Sequence, residues 1–182
     1  MFEFQNIKQP RLYAEREQEE HDEHEEHEGG RGWFFFGGDH KNKQVPVPPN
    51  PTYQKECGSC HWAFLPGLLP VNSWKKLMSG LNSHFGDDAS LDAETEGLIS
   101  QYLLNNAAET SKARLSQKLF RGISNENPPL RITELPYIVK EHREIRPAIY
   151  ERPAIKSFSN CIACHTGADQ GIFNEHQIRI PK

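Results

Sequence analysis

Two copies of one pentapeptide constrain this chain more than any other feature. Cys57-Gly58-Ser59-Cys60-His61 and Cys161-Ile162-Ala163-Cys164-His165 both read C-x-x-C-H, and together they hold all four cysteines of the 182-residue sequence. Two cysteines three apart on a helical turn share a face. Their sulfurs are spaced to form thioethers to the two vinyl groups of one porphyrin, and the adjacent histidine can reach its iron as the proximal ligand. The pattern predicts two covalently bound haem c groups, attached through Cys57, Cys60, Cys161 and Cys164, with His61 and His165 on the irons.

Other uses of paired cysteines fit less well. A zinc ribbon places its pairs about 15–20 residues apart, whereas about a hundred residues separate these two. A thioredoxin-like redox motif needs a βαβ context, which neither pair has. With both pairs in thioethers, no cysteine is left for a structural disulfide. Hydrophobic residues make up 36% of the chain, thin for a core of this size. Two porphyrins would supply the missing apolar surface, so the chain without haem is expected to fold poorly.

No run approaches the roughly 18 apolar residues of a transmembrane helix, and residues 1–15 lack the apolar region of a signal peptide. Because haem c is attached outside the cytoplasm, the expectation is an exported, periplasmic protein whose signal sequence is absent from this chain. Residues 15–28 form an acidic arm with nine acids, one arginine and the histidines His21, His24 and His27. On a helix these histidines would make a loose metal-binding stripe, and in a solvated tail they would not. With the arm set aside, the net charge of −4 becomes about +4 for the remainder, a weakly basic body suited to acidic redox partners. Trp33-Phe34-Phe35-Phe36 reads as a loop or docking patch. No nucleic-acid partner is expected, and the oligomeric state stays open.

The organisation predicted is an N-terminal extension over residues 1–43, a first haem domain over 44–110 and a second haem region over 111–182. The fold expected is mainly α. QVPVPPNPT at 44–52 is a proline-rich linker. A short helix should carry Cys57 to about Phe64, and a second should run over 73–82 with Trp74, Leu77, Met78 and Leu81 on its apolar face. A third, over 92–105, should be capped by Ser90 or Asp92 with Leu98, Ile99, Tyr102 and Leu103 inward. Further on, 110–122 reads as helix, 123–137 as loop, 137–146 as a short helix and 158–166 as the second haem helix. No strands are expected.

The sixth iron ligands are the open question, since methionine raises a haem potential and histidine lowers it. Met78 reads as core packing. His84 lies 23 residues after His61 in a turn, where it can swing over haem 1. His142 lies 23 residues before His165, on a segment whose Tyr137, Ile138 and Ile145 give it an apolar side. These two are assigned as distal ligands, with His176 as the main competitor at haem 2 and His40 a weaker one.

The stretch ECGSCHWAFLPGLLPVNSWKKLMSGLNSHFGDDASLD at 56–92, with RITELPYIVKEHREI and CIACH after it, resembles the bacterial dihaem cytochrome c family over roughly residues 50–180. The resemblance implies a first domain similar to class I cytochromes c, an irregular and loop-rich second haem region, and bis-histidine ligation with His84 and His142 at the distal positions. It also implies an electron shuttle between a membrane cytochrome b and a soluble oxygen-binding haem protein. The reading is therefore a non-enzymatic electron carrier. The alternatives are a haem enzyme or gas sensor with one five-coordinate iron, or a haem subunit of a larger reductase.

Overall fold

The structure, a computed structural model, describes residues 43–182. His21, His24, His27, His40 and the aromatic run 33–36 lie outside the described residues. Those described are mainly helical, with isolated β-bridges and no strand.

Helix α1 spans Pro51–Cys57. Its start is set locally: the Asn50 side chain accepts from the Tyr53 N–H at 2.8 Å, and Pro51 supplies a pre-set φ at the first helical position. The helix stops at Cys57, so the expected Cys57–Phe64 helix is corrected to one that ends where the motif begins. Tyr53 explains the turn that follows. Its buried ring is fixed on α1, and its hydroxyl donates to the Phe64 carbonyl at 2.5 Å. That bond folds residues 58–64 back along the helix rather than onward from it.

Helix α2 spans Val71–Met78 and α3 spans Ala93–Asn105. Both carboxylate oxygens of Glu109 accept from the Val71 N–H, at 3.0 and 2.9 Å, at the electropositive start of α2. Asp92 caps α3 through the Thr95 N–H at 2.9 Å, as the sequence predicts. The two helices pack through Trp74, Met78, Ile99 and Leu103, all buried. Each such side chain contributes about 1.5–3 kcal/mol by leaving water. Trp74 Nε1 also donates to the Pro66 carbonyl at 2.8 Å, which satisfies the indole inside the core. Leu98 is 54% exposed, a correction to the expected inner stripe: α3 buries Ile99 and Leu103 against α2, and Leu98 falls outside that contact.

The second half is built from shorter pieces. Helix α4 spans Arg114–Phe120, α5 Pro136–His142 and α6 Pro147–Tyr150. A 3₁₀ turn at Ile132–Glu134 lies in the predicted loop and leads through buried Leu135 into α5. The expected helix at 158–166 is replaced by a 3₁₀ turn at Cys161–Ala163. Ser157, Ser159 and Asn160 account for this. The Ser157 hydroxyl accepts from the Ser159 N–H, and the Asn160 amide donates to the Ile155 carbonyl, so local polar bonds compete with helix formation.

The start of the described chain closes against its end. The Val45 N–H donates to the Gly171 carbonyl and the Phe173 N–H to the Lys43 carbonyl, each at 2.8 Å. Gly171 has φ 74°, and a Cβ there would collide with the Val45 carbonyl oxygen. Only glycine allows both the left-handed turn and this close approach.

Candidate haem sites

The first C-x-x-C-H motif lies in the turn leaving α1. The His61 Nδ1–H donates to the Trp62 carbonyl at 2.7 Å. That bond leaves Nε2 as the unprotonated nitrogen, the arrangement by which metal-binding histidines are usually oriented. The His84 ring faces that of His61, with centroids 6.2 Å apart and planes 19° from parallel.

His84 stands at the base of a two-residue reversal. It exchanges both backbone hydrogen bonds with Asp87, at 2.8 and 3.1 Å. Phe85 and Gly86 between them have φ 55° and 106°. Positive φ at both central positions makes this a type I′ turn. Burial, then His61 and then Arg131 hold the His84 imidazole below its ordinary pKa.

The second site has the same pairing from different elements. His142, the last residue of α5, donates from Nδ1–H to the Ile138 carbonyl one turn back at 2.8 Å. Its ring centroid lies 5.9 Å from that of His165, with planes 66° apart. Burial first, then His142 and Lys43, depress the His165 pKa to about 4. Both His84 and His165 are thus neutral at neutral pH, the form in which an imidazole binds iron.

The two ring spacings test whether these residues fit haem iron. Two metal–imidazole bonds of about 2 Å each take up about 4 Å, and the two half-rings supply the remainder of 6.2 or 5.9 Å. The residues therefore fit one iron between each histidine pair. No three His, Cys, Asp or Glu side chains cluster among the described residues. None of the four cysteines is paired in a disulfide, and burial pushes the Cys57 and Cys161 thiols up to about 11.

His176 is exposed. Met78 is buried in the core among Trp74, Ile99 and Leu103.

Several neighbours of the sites were not singled out in the sequence. Phe158 packs edge-on against His142 at 5.3 Å, and Phe173 lies 5.5 Å from His165. Tyr150 packs 4.6 Å from Phe158, and its buried hydroxyl has no hydrogen-bond partner among the described residues. Lys43 bridges Glu141 at 3.0 Å and Glu175 at 2.8 Å. Arg131 lies 3.8 Å above the Phe85 ring. Only Phe85, next to His84, is a signal the sequence carries; the others come from more distant segments.

The family described as dihaem cytochrome c matches residues 53–173. A diheme cytochrome c from Rhodobacter sphaeroides is 44% identical, with 71% of this chain and 99% of that chain covered and a TM-score of 0.62. A second structure, of DHC purified from Rhodobacter sphaeroides, is 41% identical over 70% of this chain and 100% of that one, at a TM-score of 0.56. A diheme cytochrome type c from Shewanella baltica OS155 is 35% identical, with 74% and 95% covered and a TM-score of 0.59. No curated protein matches.

Proposed function

We propose that this chain, which belongs to the dihaem cytochrome c family, is an electron carrier whose two covalently bound haem c groups are both bis-histidine ligated. The assignment is His61 and His84 for haem 1, with Cys57 and Cys60 as its attachment points. For haem 2 it is His165 and His142, with Cys161 and Cys164. The observation that carries it is the pair of histidine spacings, 6.2 and 5.9 Å, at two separate motifs.

Bound haem supplies a one-electron iron couple, which histidine ligation on both faces holds at low potential. The protein's part is to keep that couple's surroundings unchanged between redox states. His61 and His142 are oriented by their carbonyl partners, and His84 is held by the paired backbone of its turn. Ligands fixed in this way do not move with the electron, and neither face is left for a substrate.

The division into a class I-like first domain over 44–110 and a loop-rich region over 111–182 is part of this reading. It is supported by α1, α2 and α3 around the first motif and by the shorter elements around the second. So are export to the periplasm and exchange with a membrane cytochrome b on one side and a soluble oxygen-binding haem protein on the other, which rest on the resemblance above. No helix among the described residues is long and apolar enough to cross a membrane.

Reducing the purified holoprotein with dithionite and adding carbon monoxide tests the ligation. The Soret band is expected to be unchanged on mixing, any later uptake being limited by slow loss of a distal histidine. An immediate shift of about half the haem would place an open iron in the protein and overturn the carrier reading.

A further inference from the structure

Phe85 is an anomaly in the His84 turn. A bulky side chain at φ 55° is strained, and type I′ turns ordinarily place Asn, Asp or Gly there. The ring is also 45% exposed, so burial does not hold it. What covers it is Arg131, whose guanidinium carbon lies 3.8 Å from the ring centroid.

Arg131 comes from a segment that is itself fixed on the first half. Ser73, fully buried on α2, donates to the Pro129 carbonyl at 2.6 Å, and the Asn72 amide donates to Asn125 Oδ1 at 3.1 Å. Glu134 lies 3.8 Å from Arg131 Nε and steadies its other side. Ile132, next in the chain, is buried in the core. The guanidinium is thus presented to the ring by an anchored backbone rather than by a free arm.

We propose that Arg131 is a positioning residue for haem 1: by stacking on Phe85 it holds the strained turn in the shape that keeps the His84 imidazole facing His61. The stack is a cation–π contact, strongest for a planar guanidinium lying over the ring. Without it, the favoured relief of strain at Phe85 rotates the backbone one residue from the ligand. The proposal rests on the reading of His84 as the distal ligand.

The test follows carbon monoxide binding to the dithionite-reduced holoprotein by stopped flow. His84→Ala serves as the reference for an open haem 1 and is expected to bind at about half the total haem. Failure of that variant to bind would sink the ligand reading itself. Arg131→Ala is expected to raise the rate at that same half of the haem at least tenfold over the wild-type protein. Arg131→Lys, which keeps the charge but not the plane, is expected to recover part of the difference. In a Phe85→Gly background the strain and the stacking partner are both gone. There Arg131→Ala should change nothing, whatever rate the Phe85→Gly protein itself shows. A wild-type rate in Arg131→Ala overturns the proposal, provided His84→Ala binds. So does an equal gain at both haems, or a tenfold effect that persists in the Phe85→Gly background.

Discussion

Both sites separate their two histidines by 23 residues, yet they hold them with different resources. At haem 1 the proposed distal histidine sits in a turn closed by its own backbone, with His84 and Asp87 exchanging hydrogen bonds across two residues. At haem 2 it ends a helix, and the supporting contacts come from far along the chain. Lys43 reaches Glu141 across 98 positions and Glu175 across 132, while Val45 pairs with Gly171. Lys43 ties α5, which carries His142, the proposed distal ligand, to the segment that follows His165. A locally closed turn forms with little loop-closure cost, whereas the second site is complete only when both ends of the described chain have met. Apart from its Arg131 contact, the first should therefore tolerate distant damage that the second does not.

The largest effect separating them should come from the ligand itself. His142→Ala is expected to open haem 2 to carbon monoxide, at about half the total haem, and to leave haem 1 low-spin. Uptake at both haems would show that the sites are not independent. Next in size are two glycine substitutions. Gly171→Ala meets both a left-handed φ of 74° and the Val45 carbonyl, and is expected to cost about 3 kcal/mol. Gly86→Ala meets a φ of 106°, farther from the left-handed region, but open space, and should cost about 1–2 kcal/mol. Thermal unfolding of the two holoproteins measures the difference, and equal shifts would remove the distinction between closure at a distance and closure by a turn.

Smaller again is Lys43→Met. The Lys43 side chain is only 20% exposed, but its partners Glu141 and Glu175 are 36% and 54% exposed, so solvent screens much of the gain. A loss of no more than about 1 kcal/mol is expected. It should appear as faster carbon monoxide entry at haem 2, with haem 1 unaffected. Burial alone would lower the Lys43 pKa, yet the hydrogen bonds it donates to Glu175 and Glu141 outweigh it and raise the value. The bridge therefore stays formed at neutral pH.

The same contrast explains what could be read from the sequence. Haem attachment is encoded in five adjacent residues. The α3 start is encoded by Asp92 three positions before Thr95, and the α2 face by the spacing of Trp74 and Met78. These are local signals. The end of α1 depends on Asn50 and on the Tyr53–Phe64 bond, which no hydrophobic period records. No helix forms over 158–166 because Ser157 and Asn160 hydrogen-bond the local backbone. Arg131 over Phe85, and Lys43 between two glutamates, join segments whose separation leaves no pattern in the chain.

The smallest expected difference needs no substitution. The His61 and His84 planes are 19° apart, and those of His142 and His165 are 66° apart. Each imidazole donates π density perpendicular to its own plane. Near-parallel rings therefore raise one iron d orbital above its partner, while rings near a right angle raise both and leave them close in energy. Electron paramagnetic resonance of the oxidised holoprotein should show two distinct low-spin signals in equal amounts. The more anisotropic one belongs to haem 2 and is the one lost or altered in His142→Ala. A single signal accounting for both haems would mean that the two ligand pairs adopt one orientation, and the contrast between the sites would then lie in their supports alone.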